Sequence, residues 1–403
     1  MSVNNKAPKE SLRDVIYAII DDRGGWISFE EFMRLSLYEP HLGYYESEHV
    51  FGAQGDFVTG ADMGPWLGLG FADLVCWAWQ QLGSPKDWCL LEQGGGSGRL
   101  LKQVIQTLAE RDMPMPGIVC IEASRRMQDA QKNLLGETGA KVSMFESWQD
   151  LNARGDALLR LPDGKRMPVV MLSNELPDAF PVRCFVKRGS ALVERGVACK
   201  EGAFVWQEAD QPLEPDALAV DQACIDGWPE GYISEWNPNL KPWQQDVSAW
   251  MQQGIVLTVD YGYAQQEYYR PNRQEGTLMG HRSHEVVNDV LRDMWQYAGA
   301  MDLTAHIDFT MLAHIGLACD MRPLVFTTQG AWLAQSPSVQ ERVQRCAQNP
   351  SVESMREVSF AKQLLMPFGM GETFKLLVQC KGVEDVAPPA YLTSFDHLNK
   401  LRF

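Results

Sequence analysis

Apolar residues recur at helical spacing at Leu12, Val15, Ile16, Ile19 and Ile20, which predicts an amphipathic helix over 9–22. Gly24-Gly25 ends it. Ser28 stands three residues before Glu31, a capping-box spacing that predicts a second helix, FEEFMRLSLY. The periodicity then lapses in EPHLGYYESEHVFGAQGDFVTGADMGPW, a glycine- and aromatic-rich stretch that reads as a long loop. Loops of that length inside a compact chain are often functional. An apolar run from Leu67 to Leu82 predicts a buried helix.

From residue 88 onward, short apolar runs alternate with helical patterns. Strands are predicted at 88–92, 118–122, 141–145, 169–173 and 255–260, with two more at 322–327 and 373–380 joined through helices in 330–365. That alternation argues an α/β fold, a parallel sheet covered by helices on both faces. Two stretches interrupt it. Residues 182–207 pattern as an antiparallel meander with turn signals at Gly189-Ser190 and Glu201-Gly202, and residues 261–320 are irregular. The expected organisation is an N-terminal region, 1–85, of helices and a covering loop. The sheet domain follows over 86–403, with insertions at about 182–250 and 261–320 forming a substrate-side subdomain.

Composition narrows the function. With 45% hydrophobic residues among 403, the chain can bury a large core. Its charge is 36 minus 52, or -16, and it carries no run of five basic residues, so nucleic acid is not an expected partner. The nine cysteines are scattered without CxxC spacing, which fits a reducing compartment rather than a disulfide frame. No stretch of about 18 apolar residues predicts a membrane span. The polar start, MSVNNKAPKE, lacks a signal core, and the expectation is a bacterial cytoplasmic protein.

The densest chemical signal is CLLEQGGGSGRLL, residues 89–101. Four glycines in five residues between a strand and a helix allow a tight turn, positive φ and close approach of backbone to a ligand. The helix that follows offers free N–H groups and a positive dipole end. The spacing is Glu92-x-Gly94-x-Gly96-x-Gly98, and the third glycine of a dinucleotide fingerprint is replaced by Arg99. Glu122, at the end of the next predicted strand, is placed to accept hydrogen bonds from ribose hydroxyls. Its alternative role is to cap a helix. Arg125 and Arg126 follow it closely, which keeps an NADP phosphate in play on charge alone.

E-x-G-x-G-x-G resembles the first motif of class I S-adenosylmethionine methyltransferases. Further segments resemble the MidA family of these enzymes, in order along nearly the whole chain: Gly43-Tyr44-Tyr45, Phe51-Gly52, Gly55-Asp56-Phe57-Val58-Thr59, Glu92 to Gly98, Asn174 to Pro181, Val259 to Gly262, Asp302 to Thr310 and Met370 to Lys375. That family includes a mitochondrial complex I assembly factor that methylates an arginine. The resemblance implies a Rossmann-like seven-stranded sheet with its last strand antiparallel. It also implies S-adenosyl-L-methionine as cofactor and a protein as the methyl acceptor, with arginine favoured. Gln93 and Gly95 stand where the family commonly has Leu and Pro. Leu176-Pro177 stands where it often has two aromatics.

The resemblance places Asn174, Glu175 and Asp178 beside the transferred methyl, as candidate catalytic residues. Carboxylates suit a guanidinium acceptor because they fix its plane and offset its charge. Asn174 and Asp178 could equally satisfy a turn before Pro181. Cofactor contacts are implied for Gly55, Asp56, Thr59, Glu92, Gly94, Gly96, Gly98, Glu122 and Asn174. His281 and His284 form HxxH, but no third ligand stands at telling spacing, so no metal is expected. Two alternatives stay open: a cofactor-binding assembly factor without catalysis, and an NAD(P)-dependent oxidoreductase.

Overall fold

The computed structural model describes residues 11–46, 60–111, 113–214, 218–282, 285–287 and 289–401. The chain forms two compact units. The first comprises Met1–Phe57, Ala179–Asn239 and Tyr269–Ala305, and the second Val58–Asp178, Leu240–Tyr268 and His306–Phe403.

The second unit is built on a sheet whose main strands are β1 (Cys89–Gln93), β2 (Gly117–Ile121), β3 (Val142–Phe145), β4 (Val169–Asn174), β5 (Gly254–Tyr263), β6 (Arg322–Thr328) and β7 (Phe374–Lys381). Their order is β6-β7-β5-β4-β1-β2-β3. β1 to β5 run parallel to one another, and β7 is antiparallel to both β5 and β6. Strands covered on both faces read as continuous apolar runs, and Val169 to Leu172 of β4 are all buried. Helix Arg99–Ala109 buries Leu100, Leu101, Val104, Ile105 and Leu108, a stripe that packs into the same core as Trp66, Phe71, Leu90 and Leu172.

The seven expected strands gain an eighth. β5 runs on to Tyr263 because Ile307–Asp308 pairs with Gly262 and Tyr263. Gly262 is required there, since a Cβ would stand 2.2 Å from the Ile307 carbonyl oxygen.

In the first unit, helices Leu12–Asp22 and Phe29–Tyr38 bury Ile16, Ile20, Phe29 and Phe32 in one core with Val197 and Phe204. The expected meander forms as Arg183–Arg188, Ala191–Lys200 and Ala203–Pro212. Ser28 Oγ accepts from Glu31 N at 3.2 Å, and a full reciprocal capping box stands at Ser11 and Asp14.

The boundary expected at residue 85 is not where the units divide. Helix Trp66–Gln81 buries its apolar residues in the sheet's core, so residues 58–85 cluster with the second unit. Trp26–Ser28 pairs antiparallel with Gly196 to Ala198, which ties the N-terminal helices to the meander. The insertion expected at 182–250 ends at Asn239 in the first unit. Of 261–320, residues 269–305 belong to the first unit, and helix Phe309–Ala318 lies in the second.

Candidate functional site

β2 and β3 lie on one side of β1 and β4 lies on the other, so the strand order reverses between β1 and β4. In open α/β sheets the carboxyl ends of the strands at such a reversal are where ligands bind. Both motifs singled out in the sequence end there: the glycine turn follows β1, and Asn174-Glu175 closes β4.

The turn uses its glycines. Gly94, Gly96 and Gly98 have φ of 68°, 50° and 82°, a region L-residues enter at a cost. A Cβ on Gly94 would meet Leu176 Cδ1 at 2.7 Å, and one on Gly98 would meet Gln131 Cγ at 3.2 Å. Helix Arg99–Ala109 starts directly from Gly98, with its first N–H groups facing the turn. Glu92 is 2% exposed, and its Oε2 has no hydrogen-bond partner among the described residues. Burial, and then the Glu122 charge, push its carboxyl up to about 8.

Glu122 follows β2 as expected. Its Oε1 accepts from Ser124 N at 3.1 Å and its Oε2 from Gln131 Nε2 at 3.2 Å. Gln131 Nε2 also donates to Gly96 O at 2.9 Å, so this amide ties the acid to the turn. The sequence reading missed Gln131. Its signal was there, because Met127, Gln131 and Leu135 are spaced by four on the buried stripe of helix Arg125–Gly136, and only the middle one is polar. Gln93, a departure from the family pattern, accepts from two indoles, Trp148 Nε1 at 3.0 Å and Trp243 Nε1 at 2.9 Å.

At the end of β4, Glu175 adopts φ 50°, with its N–H bonded to Val259 O at 2.9 Å. Such backbone conformations in non-glycine residues cluster at functional sites. Burial, then the charges of Asp178 and Asp62, push the Glu175 carboxyl up to about 7, against the opposing pull of hydrogen bonds from Asn174 and the Gly60 backbone. Asn174 Nδ2 donates to Glu175 Oε1 at 3.3 Å. Asp178 follows in the turn Pro177–Ala179. Its N–H donates to Asp260 Oδ2 at 3.2 Å, and its carboxylate accepts from the Tyr261 hydroxyl. Asp260, fully buried in β5, accepts from Tyr261 N at 2.8 Å. Burial and the charges of Asp178 and Glu175 hold its carboxyl well above the ordinary range. The Tyr261 ring stands edge-on to His306 and Phe374.

The structure therefore brings Asn174, Glu175 and Asp178 together with Asp260 and Tyr261, a cluster whose members come from segments some 80 residues apart. Gly55, Asp56 and Thr59 lie outside the described residues. The segment that follows them is anchored at the turn's helix: Gln103 Nε2 donates to Ala61 O at 3.0 Å, and Arg99 pairs with Asp62 at 3.1 Å. His281 lies in the first unit and His306 in the second, while His284 lies outside the described residues. Among the described residues no three His, Cys, Asp or Glu side chains are grouped to hold a metal ion. No helix among them is long and apolar enough to cross a membrane.

Comparison with known proteins adds the following. The model of a family described as S-adenosyl-L-methionine-dependent methyltransferase matches residues 71–327. The chain is 26% identical over 390 residues to the mitochondrial protein arginine methyltransferase NDUFAF7 homolog of Drosophila melanogaster, covering 89% of this chain and 82% of that protein. It is 23% identical over 383 residues to protein arginine methyltransferase NDUFAF7 of Danio rerio, covering 87% and 82%. Its structure is similar to that of a Burkholderia thailandensis protein solved bound to S-adenosyl-homocysteine, with a TM-score of 0.80, 27% identity, and 99% and 100% of the two chains covered.

Proposed function

The chain belongs to this family of S-adenosyl-L-methionine-dependent methyltransferases, and from that premise we propose that it methylates an arginine side chain of a protein. The observation that carries the acceptor is the acid cluster formed by half-buried Glu175 with buried Asp178 and Asp260, Asp178 being held by the Tyr261 hydroxyl. The names of the relatives point the same way.

The residues at the end of β1 fit the cofactor. Glu92 Oε2 and Gln131 Oε1 are buried oxygens without partners among the described residues, and the turn opens with three glycines, Gly94 to Gly96, that carry no side chain. Gly94, Gly96 and Gly98 would admit the cofactor to the backbone, Glu122 would take its ribose hydroxyls, and Asn174 would face it from β4. Gly55, Asp56 and Thr59 are assigned as cofactor contacts on the sequence resemblance. When bound, S-adenosyl-L-methionine supplies an electrophilic methyl group on a sulfonium sulfur.

This chain's own work is to hold the acceptor. Glu175 and Asp178 accept the N–H groups of a guanidinium, which fixes its plane and offsets its charge. A nitrogen whose lone pair is delocalised must lose a proton as it gains a methyl. A carboxylate whose proton affinity is raised toward neutrality, as that of Glu175 is, suits the receiving role. Tyr261 holds Asp178 in one orientation through its hydroxyl.

The test is to incubate the protein with radiolabelled S-adenosyl-L-methionine and candidate protein substrates, then hydrolyse the product and separate the methylated amino acids. Methylarginine is expected. Asp178→Asn should lower turnover by about 10²-fold or more, the scale of one positioned polar group. Label appearing only in other amino acids would remove arginine as the acceptor.

A further inference from the structure

We propose that Glu175 and Asp260, linked through Asp178, form a proton-for-cation exchanger: they hold protons while no cation faces them, and release protons to solvent when the cationic cofactor binds. The proposal rests on the cofactor reading above. It adds that the site distinguishes S-adenosyl-L-methionine from its neutral product by charge, to a degree set by pH.

The geometry is the ground for it. Three carboxylates sit on adjacent strand ends, and Asp178 and Asp260 are 6% and 0% exposed. Asp178 N and Tyr261 N both bond to the Asp260 carboxylate, and the Tyr261 hydroxyl bonds to Asp178, so the acids are linked through two short bridges. Buried like charges this close do not all ionise, and their protons come off as a coupled set.

The charged neighbours on each packing element do not neutralise Glu175 or Asp260. Glu175 meets Asp178 and Asp62, with Asn174 and the Gly60 backbone as donors. Asp260 meets Asp178 and Glu175, with backbone N–H donors. Arg99 is engaged by Asp62. Lys375 lies opposite Asp260 in the register of β5 and β7, but its ammonium donates to Glu372 O and stands 5.5 Å over the Tyr263 ring. His306 packs against the Tyr261 and Tyr263 rings. At the end of β1, Glu92 adds a buried carboxyl whose Oε2 lies against the turn, 2.2 Å from where a Gly95 Cβ would be, and has no partner among the described residues. A buried acid aimed at the ligand turn is a second, independent sign that a cation completes this end of the sheet.

S-adenosyl-L-methionine and S-adenosylhomocysteine make a matched pair of probes. They share the adenosine and amino-acid ends and differ by one methyl group and one positive charge; the amino group titrates lower beside the sulfonium, so each free ligand's own titration is measured and subtracted. Both would be titrated calorimetrically into the full-length protein from pH 6 to 8.5, in phosphate and in Tris, whose ionisation heats differ. The affinity ratio of the methyl donor to its product should rise with pH, by up to about tenfold per unit where one proton is exchanged. The donor should also release more protons than the product. Glu175→Gln, a neutral isostere, should flatten the rise. Two bound ligands with a pH-independent ratio and equal proton release would overturn the exchanger while leaving the cofactor reading intact. Binding of neither ligand would remove the cofactor reading and the exchanger with it.

Discussion

Replacing Glu92 with Gln tests the electrostatics at the end of β1 without needing an acceptor. The folded protein keeps the Glu92 proton up to about 8, whereas the ordinary value of 4.5 applies once the chain unfolds. Between those values the folded state binds the proton and the unfolded state does not. The contribution of Glu92 is therefore fully present below about 4.5 and is lost as pH rises toward 8. The slope is about 1.4 kcal/mol per pH unit for one such group. From pH 5 to pH 7 the wild-type protein should lose about 2–3 kcal/mol through Glu92 alone. Gln is neutral throughout and nearly isosteric with the protonated acid, so the variant should match wild type at pH 5 and exceed it at pH 7. Urea unfolding of the ligand-free protein at pH 5, 6, 7 and 8, followed by tryptophan fluorescence, reads this directly. Glu175, Asp260 and Asp308, raised by burial in the same sense, leave the variant with a residual slope. Parallel stability curves for wild type and variant would refute the argument, because they would mean that Glu92 is already solvated or paired in the folded state.

Gly94→Ala puts a Cβ 2.7 Å from Leu176 Cδ1 in a left-handed conformation that costs about 1–2 kcal/mol, and should weaken S-adenosyl-L-methionine binding about tenfold or more by calorimetry. Undiminished affinity would disconnect the turn from the cofactor. Gln93→Leu leaves the indole N–H groups of Trp148 and Trp243 without their shared acceptor, at about 1–3 kcal/mol for each buried donor, and should lower the denaturant midpoint accordingly. Adding Trp243→Phe should recover part of that loss, and a double variant no more stable than the single one would count against the shared acceptor.

The sheet was legible because most of its strands are buried on both faces, so they read as apolar runs bounded by turn residues. Val169 to Leu172 and Ile255 to Val259 could be read without knowing their neighbours. The glycine turn was legible for a similar reason, since a backbone demand leaves a local mark on composition. The division into units was not legible. It depends on pairings such as Ile27 with Val197, 170 residues apart, and nothing within either segment names the other. Asp260 and Tyr261 were marked only as part of a segment that resembles the family, because their bonds to Asp178 close over some 80 residues. Where polar residues broke a buried stripe, as Gln131 does, the signal was local and simply went unused.

The two departures in the glycine loop resolve on the same principle. Glycine at 95 in place of proline raises the entropy that must be lost on ordering the turn. The structure shows what restrains it. Gly98 N donates to Gly95 O at 2.8 Å, Gly94 N donates to Ile121 O at 3.0 Å, and Gln131 holds Gly96 O. Bonds fix this turn where a ring would otherwise do so. The position also has no room for a larger residue, because a Cβ there would fall 2.2 Å from Glu92 Oε2. Gly95 and the inward-facing Glu92 carboxyl are thus a single arrangement. A proline at 95 would have to displace the acid of the turn whose Oε2 the described residues leave without a partner.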